Sequence, residues 1–178
     1  MSKTSPLACR GLLLWAGLSL LSACGRYADF TLPVLIDGDP HMTYTWESHP
    51  GPVLERGEGW ESHDVLNPSV MPASNSGAPY LNLYSGFDGR TWRTGLATSG
   101  DGIHWQRQGI VLAPDPGTWE GDYVAANGTA VLTGREFWYW YQAGPRGLPR
   151  IGMASSSDKG RTWRKEPAPV LAPGPRGS

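Results

Sequence analysis

The chain has 178 residues, with 15 Lys and Arg against 16 Asp and Glu, a formal net charge of −1 and an aromatic content of 11%. That balance gives no pull toward nucleic acid. Gly and Pro number 24 and 16, which without pattern would signal disorder, but here they punctuate β-rich runs.

Lys3 and Arg10 lead into an apolar run over residues 11–21, which ends in Leu21-Ser22-Ala23-Cys24. Basic residues, a short apolar run and small residues in this order form an export signal over 1–23, too short for a membrane span. Leu-Ser-Ala-Cys resembles the bacterial lipobox, which implies cleavage before Cys24 and a lipid on that cysteine. Each buried acyl methylene contributes about 0.8 kcal/mol, so the body would be held at a membrane surface of the cell envelope. An ordinary secretory signal with an incidental cysteine is the alternative. Cleavage also removes Cys9, Lys3 and Arg10, leaving 13 basic against 16 acidic residues and no pair for an internal disulfide. The remainder is long enough for one domain with its own core.

Residues 24–45 read as a linker, and Trp46 with Val53-Leu54 as the end of a partial β-unit. A unit of roughly 58 residues then occurs twice. Trp60-Glu61 answers Trp119-Glu120, Asn67-Pro68 answers Asn127-Gly128, Tyr84 answers Tyr141, Gly95-Leu96-Ala97 answers Gly152-Met153-Ala154, and Val111-Leu112 answers Val170-Leu171. Within each unit four strands are predicted: near 68–71 and 129–132; 80–84 and 137–141; 94–98 and 151–155; and from Trp105 and Trp163 onward. No helical period follows the signal. Four short antiparallel strands per repeat define an all-β protein built of propeller blades, with complete blades at about 60–112 and 119–171. The many Trp and Tyr rings are expected to pack between blades. Residues 172–178 resemble the connector 113–118 ahead of Trp119, so the sequence is expected to be part of a larger propeller.

Each unit ends in one turn chemistry, Ser99-Gly100-Asp101-Gly102-Ile103-His104-Trp105 and Ser156-Ser157-Asp158-Lys159-Gly160-Arg161-Thr162-Trp163. The run at 156–163 resembles the Asp box of sialidases and related propellers. In such a turn the carboxylate accepts bonds from nearby backbone N–H groups, Gly takes the positive φ and Trp packs beneath. Asp101 and Asp158 are therefore structural, as is the similar run Asp88-Gly89-Arg90-Thr91-Trp92.

The order Trp-Glu, Asn-Pro-Ser-Val, Tyr-Leu-Asn-Leu-Tyr-Ser-Gly, Gly-Leu-Ala-Thr-Ser, Asp-Gly-Ile-His-Trp and Val-Leu resembles the five-bladed β-propeller glycoside hydrolases, the superfamily of arabinanases, β-xylosidases, invertases and levansucrases. The resemblance covers about 46–173. It implies an oligo- or polysaccharide substrate and three carboxylates on different blades around a central cavity. Cleaving a glycosidic bond needs two opposed carboxyls, which one strand cannot supply. Asp64 and Asp122, ahead of the innermost strands, are the candidate catalytic pair. His63, Asn67 and Asn127 are candidate sugar-binding residues, since amides and imidazole bond hydroxyls. Glu61 and Glu120 repeat with their Trp and read as a structural pair. Many relatives carry Asp-Pro where this chain has Asn67-Pro68 and Asn127-Gly128, and an amide is neither base nor nucleophile. Three readings stay open: a lipid-anchored glycoside hydrolase, a glycan-binding propeller without catalysis, or a truncated inactive product. No cofactor is expected, and no metal-ligand spacing stands out among the four His.

Overall fold

The computed structural model describes residue 45 and residues 47–74 and 77–174. The export signal, Cys24, most of the linker and Trp46 lie outside the described residues. The chain divides into the units Met1–Glu47 and Ser48–Ser178, and the fold below is that of the second.

Eight strands follow a short 3-10 turn at Gly59–Glu61: β1 (Asp64–Ser74), β2 (Gly77–Phe87), β3 (Trp92–Ser99), β4 (Gln106–Leu112), β5 (Val124–Thr133), β6 (Glu136–Gly144), β7 (Arg150–Ser156) and β8 (Arg164–Lys165). Strands β1 to β4 form one antiparallel meander and β5 to β8 the next, so each repeat is a four-stranded blade. The strands extend beyond the predicted stretches at nearly every end. Turn residues mark where pairing must stop, whereas β-rich runs mark only its centre.

Alternation decides which face is buried. In β6, Phe137, Tyr139, Tyr141 and Ala143 are buried while Trp138, Trp140 and Gln142 are half-buried. Leu81, Leu83, Leu96, Leu112 and Ala125 join them in the core. The ring pairs lie within blades, and Tyr139 also reaches the first blade, its hydroxyl 3.3 Å from Thr94 Oγ1. Trp60 meets Tyr84 at 5.7 Å between centroids, Phe87 stacks on Trp92 at 4.5 Å, and Tyr139 lies against Tyr141 at 5.9 Å and Trp163 at 5.7 Å. Glycine makes this closeness possible. A Cβ on Gly95 would stand 2.5 Å from Trp60 Cη2 and 2.7 Å from Tyr84 Cζ, and one on Gly152 would stand 2.7 Å from Tyr141 Cζ.

Blade joins blade through polar groups as well as through the apolar core, which draws on both repeats. β3 and β5 pair in parallel at Trp92–Val124 and Arg93–Ala125. Thr94 Oγ1 donates to the Ala125 carbonyl at 2.9 Å, while Ser85 Oγ and Ser69 Oγ accept from the Asn127 and Ala130 amides at 2.9 Å each. Satisfying these backbone groups is what lets the blades bury their shared face.

The aspartate-centred turns carry the expected bonds. Asp158 Oδ1 accepts from the Arg161 and Thr162 amides at 3.1 and 2.9 Å, and Oδ2 accepts from Thr162 Oγ1 at 2.6 Å. Asp101 Oδ1 accepts from the Ile103 and His104 amides at 2.9 and 2.8 Å. Gly102 and Gly160 take φ of 78° and 76°, and Trp105 and Trp163 donate indole N–H to their carbonyls at 3.0 and 2.9 Å. The Thr162 hydroxyl and backbone donors hold the Asp158 carboxyl at about 2, below the usual carboxylate range. His104 and two backbone amides lower Asp101 as well.

Candidate functional site

Strand register assigns the residues to two ends of the blades. Asp64 faces Phe87, Phe87 faces Trp92, Trp92 faces Val124, Val124 faces Gly144, and Ala143 faces Arg150, so all of these lie at one end. Tyr80 faces Ser99 and Phe137 faces Ser156, which puts the turns of Asp101 and Asp158 at the other. The structural carboxylates are thereby separated from the candidate catalytic ones by the length of a strand.

At the first end the innermost strands β1 and β5 lie side by side. Each carries an asparagine in the left-handed region, Asn67 at φ 52° and Asn127 at φ 57°. Both sit at an irregularity in their strand, between Leu66 and Ser69 and between Ala126 and Thr129, where one extra residue re-aims a side chain. Asparagine tolerates this conformation better than other residues with a Cβ. The amides meet: Asn67 Nδ2 donates to Asn127 Oδ1 at 2.7 Å, and Asn127 Nδ2 donates to Gln142 Oε1 at 3.1 Å. An amide chain across two blades, with further donors and acceptors unused inside it, is suited to neutral polar ligands.

Asp64 and Asp122 are placed differently. Asp64 opens β1, accepts from the Val65 amide at 2.9 Å, and lines a cavity of about 780 Å³ with Glu55, Arg56 and Ser62. Asp122 is exposed two residues ahead of β5, its carbonyl accepting from Thr91 Oγ1 at 3.1 Å. The register aligns Asp64 with Val124, because Asp64 faces the last residue of β2 as Val124 faces the last of β6. The two carboxylates therefore do not occupy equivalent positions in the two blades. His63 is exposed, its ring edge-on to Phe87 at 5.5 Å, and its amide donates to the Phe87 carbonyl at 2.9 Å.

The repeated glutamates are buried struts. Glu120 Oε1 accepts from the Tyr141 hydroxyl at 2.6 Å, and Oε2 accepts from the Asp115 amide at 2.9 Å and pairs with Lys165 Nζ at 2.5 Å. Glu61 Oε1 pairs with Arg107 Nε at 2.8 Å, while Glu61 Oε2 and the Tyr84 hydroxyl are buried with no bond among the described residues. Burial, with the neighbouring glutamate adding to it, pushes both tyrosines upward. Glu120 ties the segment entering β5 to the second and fourth strands of its blade, whereas Glu61 ties the segment entering β1 to the fourth strand alone. The Tyr and cation partners were missed in the sequence, although Tyr84 and Tyr141 recur and a cation falls two residues after each turn's Trp. Among the described residues no group of three or more His, Cys, Asp or Glu is placed to hold a metal.

No protein-family model and no curated protein matches the chain. Solved structures do. A glycosyl hydrolase from Bacteroides ovatus is 30% identical with a TM-score of 0.54, matching 60% of this chain and 32% of its own. A structure from the GH130 family of mannoside phosphorylases, described as containing glycoside hydrolases that target β-1,2 mannosidic linkages in Candida mannan, is 28% identical with a TM-score of 0.56, over 62% and 33%. A family 117 glycoside hydrolase from the marine bacterium Zobellia galactanivorans shares the fold alone at 18% identity, TM-score 0.56, over 69% and 45%. The resemblance to the five-bladed propeller glycoside hydrolases is thus shown, and the blades are theirs in fold. The chain spans about a third of the length of the first two structures.

Proposed function

We propose that this is a glycoside-hydrolase-like propeller chain that binds an oligo- or polysaccharide at the Asp64–Asn127 end of its blades. The observation that carries the reading is the hydrogen-bonded pair of left-handed asparagines on adjacent innermost strands, in a chain 28 and 30% identical to glycoside hydrolase structures. Strained conformations of non-glycine residues recur where a ligand must be met. In the catalytic form of this reading Asp64 and Asp122 act as acid and base, with His63, Asn67 and Asn127 binding hydroxyls. Export and a lipid on Cys24 would place the chain in the cell envelope, as the Leu-Ser-Ala-Cys run supports.

An alternative, glycan binding without cleavage, is favoured by the amides themselves, since Asn67 and Asn127 occupy inner-strand positions and cannot move a proton as a carboxylate does. Affinity electrophoresis and reducing-sugar release with mannan, arabinan, xylan and levan separate the two. Binding is expected with at least one glycan. Turnover that falls at least about tenfold in both Asp64→Asn and Asp122→Asn supports acid/base cleavage. Binding without turnover supports the non-catalytic alternative, turnover indifferent to both substitutions removes these carboxylates from the chemistry, and binding to none of the glycans refutes the function.

A further inference from the structure

At the end of the amide chain, on the second blade, lies a cavity of about 450 Å³ whose lining includes the polar Asn127, Gln142 and Arg150 and the apolar Pro149, Ile151 and Leu171. Its wall is built rather than accidental. Ile151 exchanges backbone bonds with the returning segment, donating to the Leu171 carbonyl at 2.8 Å and accepting from the Val170 amide at 2.8 Å. Gln142 is fixed from one side by the Asn127 amide at 3.1 Å, which uses its oxygen and leaves its NH2 as a donor. Arg150 is half-buried at the start of β7, and among the described residues no carboxylate lies within 4.0 Å of its guanidinium. A further arginine of the same loop, Arg146, is held over the Tyr123 ring at 4.5 Å.

We infer that the Asn127–Gln142–Arg150 cavity is a subsite for an acidic sugar residue, a uronate whose carboxylate meets the Arg150 guanidinium while Gln142 and Asn127 bond its ring hydroxyls. The inference rests on the glycan-binding reading above and names the class of sugar. An arginine with no carboxylate against it among the described residues offers a planar two-donor fork that matches a carboxylate. Pro149, Ile151 and Leu171 in the lining give the C–H groups of a sugar ring apolar contacts, and the amides are neutral groups of the kind that pair with hydroxyls.

The test uses the full chain and three probes: tetragalacturonate, its methyl ester, in which each carboxylate is neutralised, and mannotetraose. Titration calorimetry at low salt is expected to show the acid binding at least about tenfold tighter than the ester, with the preference shrinking as salt rises. Arg150→Gln should erase the preference and Arg150→Lys retain part of it, with thermal melting confirming that both variants fold. Equal binding of acid and ester, or a preference that survives Arg150→Gln, overturns the inference. Binding of mannotetraose alone overturns it while leaving the glycan-binding reading intact, and binding of none of the probes, nor of the four polysaccharides above, overturns both.

Discussion

Replacing Glu120 should cost the fold more than any other single carboxylate substitution among the described residues, and more than the same change at its repeat partner Glu61. Glu120 is only 2% exposed and answers three donors. In Glu120→Ala the Tyr141 hydroxyl and the Asp115 amide lose their acceptor in a dry environment, at about 1 to 3 kcal/mol each. Lys165 contributes less, because its side chain is 26% exposed and can turn to water while keeping its bond to the Ala113 carbonyl. The expected loss is about 3 to 5 kcal/mol, within the range for breaking a buried pair. Glu120→Gln keeps the volume and one acceptor, so about 1.5 to 3 kcal/mol is expected. Glu61→Gln should cost less again, since Glu61 has only the Arg107 pair, whose side chain is 37% exposed, and its other oxygen makes no bond to be lost. Urea unfolding followed by Trp fluorescence reads all three as shifts in midpoint at constant slope. A Glu120→Ala loss below about 1 kcal/mol, or a Glu61→Gln loss exceeding that of Glu120→Gln, would refute the strut argument.

Gly152→Ala, whose new Cβ would stand 2.7 Å from Tyr141 Cζ, should lower stability by about 1 to 3 kcal/mol through overpacking in the same urea assay. Stability should also fall in acid. Asp158 is held at about 2, and so is Asp88, where burial pushes upward but is outweighed by the Arg93 guanidinium and two backbone amides. Folded values below the unfolded ones add stability above the unfolded pKa of about 3.9, and it is lost as pH falls through the folded value. Melting temperature should therefore decline between about pH 4 and pH 2, and more gently in Asp158→Asn. Mass spectrometry of envelope protein should find Cys24 lipid-modified at the N-terminus, and an unmodified chain beginning elsewhere would remove the anchor.

The blades were legible because the repeat carries its own punctuation. Ser, Asp, Gly and Trp recur at both outer hairpins, and each residue type has one physical task there. Asp64 and Asp122 do not occupy equivalent register positions, and the spacing already shows it. These two stand 58 residues apart, whereas Glu61–Glu120 and Asn67–Asn127, which flank them, stand 59 and 60 apart. An offset of 58 fits neither landmark, so Asp122 falls two residues short of the position that aligns with Asp64. The asparagine contact was half visible, as a matched pair of residues tolerant of positive φ. Nothing in one-dimensional spacing says that two bulges on neighbouring strands bring their side chains to hydrogen-bonding distance. Arg150 and Gln142 were hidden for a similar reason, since they reach the cavity only through the return of Leu171 beside Ile151.

The parallel pairing of β3 with β5 has a mechanical consequence. Arrays of repeats hold together through nearest-neighbour interfaces, and where that coupling is weak the units open one at a time. Here the seam is itself a sheet ladder at Trp92–Val124 and Arg93–Ala125, reinforced by Thr94, Ser85 and Ser69, so separating the blades means breaking main-chain bonds and stranding buried polar atoms together. Partial opening at the seam is the costly route, and fraying from the short β8 edge the cheap one. Amide exchange along the junction should then be slow together with the strands on either side of it, so that the boundary between two copies belongs to one cooperative unit and is not a hinge.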